Sequence, residues 1–189
     1  MSTLEHFLPP RDATALIVVD IQEKFFPAME AARKDTVLEN TKLLLQLAKT
    51  MGLPVLVTEQ YPKGLGKTIP PVVEELPPGN EPFEKLSFSS WRADGFAERF
   101  REAGARCAIV IGLESHVCVL QTVIDLLAED IVVHVPRDAV VSRTRENCEA
   151  GLELMDRAGA LISSTETIIF QMLERAGTDE FKTMSKLLK

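Results

Sequence analysis

The chain has 189 residues, 46% hydrophobic and 26% charged, enough to bury one full core and too few for several ordinary domains. Its formal net charge of -7 leaves no basic face to dominate the surface, which argues against nucleic acid or an anionic membrane as partner and for a small molecule. The three cysteines, Cys107, Cys118 and Cys148, are odd in number and lack both C-x-x-C and zinc-finger spacing, so free thiols are expected rather than a disulfide framework or structural zinc.

Met1 to Asp12 carries Glu5, Pro9 and Pro10 with no apolar h-region, and no apolar run approaches the roughly 20 residues of a bilayer span. A cytoplasmic protein with no membrane partner is expected. Residues 1–12 read as an N-terminal tail, 13–175 as one domain and 176–189 as a C-terminal helical extension.

Ala15 to Asp20 is almost wholly apolar, the pattern of a strand covered on both faces, and it ends in a carboxylate. Glu39 to Met51 sets Leu43, Leu44, Leu47 and Ala48 at helical spacing, with Gly52 and Pro54 as a stop. Pro54 to Thr58 reads as a second strand. Residues 59–82 hold six prolines, too many for a regular element and too long a stretch for an ordinary connection, so this loop is expected to cover a site or make an interface. Phe83 to Phe88 is expected to be extended, Asp94 to Ala103 helical and Arg106 to Gly112 a strand. Val117 to Ala128 follows as a helix with Leu120, Val123, Ile124 and Leu127 on one side. Ile131 to Pro136 is predicted as a strand, Arg143 to Ala158 as a helix and Ala160 to Ser163 as a short strand. Ser163 with Glu166 at N3 fits a capping box. Such alternation predicts a single-domain α/β fold, a doubly wound (Rossmann-like) three-layer sandwich with a mostly parallel sheet, whose functional residues gather at the carboxyl ends of the strands. Asp20 and Cys118 both fall at such ends.

A thiol at the first turn of a helix meets free backbone N–H groups and the positive end of the helix dipole, which favour thiolate. Cys118 is therefore either a nucleophile or, like most free cysteines, a small buried apolar residue. Reactivity needs a base, a cation and oxyanion donors. Asp20 is the first candidate for the base. Lys85, alone in the apolar, hydroxyl-rich run Lys85-Leu-Ser-Phe-Ser-Ser-Trp91, is the best-placed cation, though by spacing alone it reads as a solvated surface charge.

Three segments together resemble the isochorismatase-like cysteine hydrolase superfamily, which includes nicotinamidases and N-carbamoyl amide hydrolases: Ala15-Leu-Ile-Val-Val-Asp20-Ile-Gln22 with Phe25-Phe26, Lys85 before Ser87-Phe88, and Gly112-Leu-Glu-Ser-His-Val-Cys118-Val. Asp125-Leu-Leu and Arg137-Asp-Ala-Val-Val-Ser-Arg143 agree, so the resemblance spans about residues 13–173. Thr58-Glu-Gln-Tyr-Pro62 with Gly64-Leu-Gly66 looks most like the isochorismatase domain-containing proteins.

The resemblance implies a catalytic triad of Asp20, Lys85 and Cys118. It also implies an oxyanion hole from the backbone amides of Glu114 and Cys118, a cis peptide at Leu113-Glu114, and a thioester on Cys118 during cleavage of a carbon–nitrogen bond. Phe25, Phe26, Gln60, Trp91 and His116 are candidate pocket residues; for the aromatics, core or subunit packing is the alternative. Glu114 is expected to be a surface carboxylate or to stand at the cleft edge. His116 either tunes Cys118 or points elsewhere. Nicotinamidases hold a metal with an Asp and two His near the second strand, where this chain has Glu59-Gln-Tyr-Pro-Lys-Gly64, so no metal and no cofactor are expected. His6 and His134 stand too far apart in the chain for a short-range cluster, and a lone strand histidine usually packs. Relatives commonly assemble, so a homo-oligomer, a dimer or larger, is implied. The alternative to a hydrolase is a catalytically idle oligomeric scaffold.

Overall fold

The computed structural model describes residues 5–188. The strands are β1 (Thr14–Val19), β2 (Val55–Gln60), β3 (Phe83–Lys85), β4 (Cys107–Leu113), β5 (Val132–Pro136), β6 (Val140–Val141) and β7 (Leu161–Ser163). Every strand pairing is parallel, in the order β3-β2-β1-β4-β5-β7, with β6 on β4 beyond β5. The helices are α1 (Ala31–Met51), the short α2 (Pro62–Leu65) and α3 (Pro70–Val73), α4 (Phe96–Glu102), α5 (Leu120–Ala128), α6 (Arg145–Ala158), α7 (Thr165–Leu173) and α8 (Asp179–Leu187). The predicted doubly wound sandwich is what forms.

β1 lies in the middle, and its period of two explains the three layers. Leu16 and Val18, with Ile109 and Ile111 of β4, pack toward α1, α7 and α8. Ala15, Ile17 and Val19, with Ala108 and Val110, pack toward α4, α5 and α6 through Phe96, Phe100, Val123, Leu126 and Met155. Both faces are dry, which is why β1 shows no polar alternation.

The chain runs outward from β1 to β3, then crosses back to β4 on the other side of β1. That reversal is the switch point, where the loops leaving two neighbouring strands part and open a crevice. Register brings the critical residues level: Val19 opposes both Thr58 and Gly112, and Gln60 opposes Lys85.

Some boundaries move. α1 begins eight residues before the predicted Glu39, because its first turns are only partly buried and carry a weaker apolar stripe. The predicted strand at 83–88 stops at Lys85, and the following turn bends back onto the Lys85 side chain. The long stretch after β2 holds α2 and α3 and is pinned along residues 21–24 by Glu23 N–H to Lys67 O (3.0 Å), Lys24 N–H to Leu65 O (3.0 Å) and Ile69 N–H to Ile21 O (3.0 Å). α7 is capped by Ser164 rather than Ser163: the Ser164 hydroxyl accepts from the Thr167 amide at 3.2 Å, so the expected Ser163/Glu166 box does not form.

Candidate active site

Three strand ends build the site, and each leaves its strand through a non-glycine residue of positive φ: Asp20 (54°) after β1, Tyr61 (38°) after β2 and Glu114 (60°) after β4. Such conformations cost on the order of 1 kcal/mol or more apiece and collect where surrounding structure enforces a function. Here they turn the chain sharply at the carboxyl ends of three neighbouring strands.

Asp20, Lys85 and Cys118 meet there, at 0%, 4% and 2% exposure. The Lys85 ammonium donates to Asp20 Oδ2 at 2.7 Å, to Gln60 Oε1 at 2.8 Å and to the Phe88 carbonyl at 2.9 Å, with the Ser87 carbonyl at 3.4 Å. An ammonium has three protons, so all are engaged within the protein. The surface-charge reading of Lys85 is thereby corrected: β3 lies level with β2 and points the side chain inward, where the turn 86–88 wraps it in carbonyls. Asp20 accepts the Thr58 hydroxyl through its other oxygen, Oδ1, at 2.8 Å. Gln60 is held by Gln22, whose Oε1 accepts the Gln60 amide at 2.8 Å and whose Nε2 donates to the Gln60 carbonyl at 3.0 Å.

Cys118 sits in a widened π-turn, Ser115–Val119, that precedes α5, not in the first turn of an α-helix. Burial pushes its thiol up to about 12; the Asp20 charge adds to this, Lys85 opposes it, and Asp20 as hydrogen-bond acceptor and the Glu114 charge raise it further. The resting group is therefore a thiol. This corrects the expectation of a helix-stabilised thiolate: desolvation outweighs a dipole that acts mainly within a regular, solvent-facing first turn.

Two glycines make the turn fit. Gly112, at φ 130°, lies against the backbone of Val19, and a Cβ there would collide with the Val19 carbonyl. Gly151 of α6 faces the turn itself, where a Cβ would come within 2.6 Å of the Ser115 carbonyl and 2.8 Å of the His116 nitrogen. Only hydrogen at these two positions lets β1, β4 and α6 close around Cys118.

The peptide bonds of the described residues are all trans, so the cis bond expected at Leu113-Glu114 is corrected. The reversal is made instead by Glu114 in the left-handed region. Its side chain is buried at 2% rather than on the surface or at a cleft rim, and is clasped by Arg143, Nε to Oε1 and Nη2 to Oε2 both at 3.2 Å. His116 turns toward this cluster, with Nδ1 3.0 Å from Ser142 Oγ and Nε2 3.7 Å from Glu114 Oε2.

Of the other candidate pocket residues, Gln60 is brought in as a partner of Lys85. Trp91 is not: it packs edge-on against Phe96 and Phe100 at 6.4 and 5.6 Å, with the Arg101 guanidinium over its ring at 5.0 Å. Phe25 and Phe26 are half-buried against the α1 side of the core, and Lys34 covers Phe26. A cleft of about 460 Å³ lined by Tyr61, Lys63, Leu86, Ser87 and Arg92 opens beside Lys85, and neither Asp20 nor Cys118 forms its wall. Among the described residues no group of three His, Cys, Asp or Glu converges as metal ligands, and no helix is long and apolar enough to cross a membrane. Thr58, Ser90 and Thr122 escaped sequence reasoning as site residues. Thr58 could have been found, since it ends the predicted second strand as Asp20 ends the first; nothing local marks the other two.

Fold and site together define a doubly wound α/β protein that gathers a thiol, a carboxylate and an ammonium at the switch point of its sheet. The Isochorismatase domain model matches residues 14–167. The secreted isochorismatase effector Isc1 of Phytophthora sojae is 37% identical over 180 residues, 94% of this chain and 85% of the relative. Isochorismatase domain-containing protein 2A of Mus musculus is 31% identical over 193 residues, covering 100% and 87%. The solved structure of MAR1 ribonuclease from Caenorhabditis elegans superposes with a TM-score of 0.88 at 34% identity, covering 94% of this chain and 90% of that one. The chain belongs to the isochorismatase family, a family of hydrolases.

Proposed function

We propose that this isochorismatase-family hydrolase cleaves a carbon–nitrogen bond of a small amide or carbamoyl compound through Cys118, without metal or cofactor. The observation that carries this is the buried contact of a carboxylate and an ammonium beside a protonated thiol. A thiol held near 12 is inert until a carbonyl carbon arrives. Attack by Sγ then passes the thiol proton to Asp20, which Lys85 and Thr58 hold by its two oxygens. The tetrahedral oxyanion is taken by the amides of Glu114 and Cys118. Collapse breaks the carbon–nitrogen bond, Asp20 returns the proton to the leaving nitrogen, and a thioester remains on Cys118. Water, deprotonated by Asp20, releases the acid and restores the thiol. Lys85 keeps its three acceptors throughout and acts by charge rather than by donating a proton.

A small substrate fits the burial of all three groups and the net charge of -7, both of which disfavour a polynucleotide such as the name MAR1 ribonuclease implies for that relative. The free thiols Cys107, Cys118 and Cys148 fit a reducing, cytoplasmic setting. A homo-oligomer also belongs to this reading: Tyr61, Leu86 and Phe88 are exposed next to Lys85, and a second copy would cover them. Sedimentation as a monomer at micromolar concentration would remove that part.

The test is ammonia release from a panel of primary amides and N-carbamoyl compounds, with intact-protein mass spectrometry and Cys118→Ala as control. Turnover and an acyl adduct lost in Cys118→Ala are expected. Neither turnover nor adduct across the panel would assign the fold to a catalytically idle scaffold instead.

A further inference from the structure

A line of buried hydroxyls joins the base to the backbone of the nucleophile. Thr58 donates its only proton to Asp20 Oδ1 at 2.8 Å, so in its 3.1 Å contact with Ser90 Oγ it is Ser90 that donates. The Ser90 amide donates to Thr122 Oγ1 at 2.8 Å, and the Thr122 proton goes to the Cys118 carbonyl at 2.7 Å. Thr58, Ser90 and Thr122 are all 0% exposed. They come from β2, from the 3-10 turn Ser90–Arg92 and from α5, elements that share no local sequence.

We infer that Thr58, Ser90 and Thr122 are positioning residues, a strap that fixes the Asp20 carboxylate against the Cys118 thiol. The Thr122 bond to Cys118 is by itself the ordinary i−4 bond of a helical threonine. What sets it apart is that the same hydroxyl receives the Ser90 amide from another element, whose side chain in turn supports Thr58. One proton per hydroxyl fixes every donor in the line, with Ser90 donating toward both ends, and a break would leave a buried polar atom unpaired, so the strap favours one arrangement. With Oδ2 on Lys85 and Oδ1 on Thr58, the carboxylate has no free oxygen about which to rotate. The charged groups acting on the thiol are Asp20, Lys85 and Glu114; of these only Asp20 is reached by the strap.

The inference rests on the reading of Asp20 as the base, and its test needs no substrate. The rate of Cys118 alkylation by iodoacetamide at pH 9 is followed by peptide mass spectrometry, with Cys107 and Cys148 in the same chain reporting any unfolding. A carboxylate freed to drift restrains the thiolate less, so Thr58→Val, Ser90→Ala and Thr122→Val should each raise the Cys118 rate about threefold to tenfold, tenfold being one pKa unit. Thr58→Ser, which keeps the hydroxyl, should match wild type. Asp20→Asn should react faster than wild type, and adding Thr58→Val to it should change the rate by less than about twofold, because the strap acts through Asp20. The inference is overturned if Thr58→Val reacts as wild type does, if it gives the same factor in both backgrounds, or if Cys118 is unmodified in every variant. Amide turnover is read separately: an idle amide panel with an intact cycle removes the hydrolase and leaves the strap, and active turnover with an additive cycle does the reverse.

Discussion

Acidification should destabilise this fold through His134. It lies in β5, opposite Ile109 on one side and Leu161 on the other, at 1% exposure, and its Nε2 has no hydrogen-bond partner among the described residues. Burial holds its pKa down to about 4 against an ordinary 6.5, opposed by a hydrogen bond that the imidazole donates to the His6 backbone. A folded pKa below the unfolded one means that the unfolded chain binds the proton first. The associated stability is therefore whole above about pH 6.5 and is lost as pH falls through 4. Linkage between these two values gives a loss of about 3 kcal/mol by pH 4, a large share of an ordinary stability of roughly 5–15 kcal/mol. Urea unfolding of wild type and His134→Val, at pH 7 and pH 4 and followed by circular dichroism, isolates the effect, since all other groups cancel in the difference. His134→Val costs some packing at pH 7 but carries no such proton. The stability difference between the two proteins should shift by about 3 kcal/mol in favour of the variant on acidification. A shift below about 1 kcal/mol would refute the reasoning and mean that the buried imidazole can be charged in place.

Two further predictions address the strand ends. Gly112→Ala, forced into positive φ and into the Val19 carbonyl, should lose about 3 kcal/mol or more, read as a lowered urea midpoint; a near-neutral change would show that β1 and β4 can separate there. Arg143→Ala leaves the buried Glu114 carboxylate with only His116 beside it, so it should destabilise by about 1–3 kcal/mol at neutral pH, with Glu114→Gln in the same chain recovering part of the loss; additive effects would mean the pair is not coupled.

The sequence by itself determined the architecture, because short, β-branched apolar runs such as Ala15 to Val19 recur between longer amphipathic segments, and strands apolar on both faces need helices on two sides. It also carried the identities of Asp20, Lys85 and Cys118, through motifs whose order and spacing are tied to the ends of those strands. Family membership follows from the same residues. What needed tertiary structure was direction and environment. Lys85 reads as a surface lysine until the register of β3 against β2 turns it inward, and Trp91 reads as a pocket wall until α4 shows it packed on Phe96 and Phe100. The state of Cys118 depended on a competition between desolvation and dipole that no spacing can weigh, and burial won because α6 closes on the π-turn through Gly151. Thr58, Ser90 and Thr122 stand 32 residues apart in sequence and became a connected line only when three elements converged, since hydroxyl partners are set by proximity in space and leave no periodic mark along the chain.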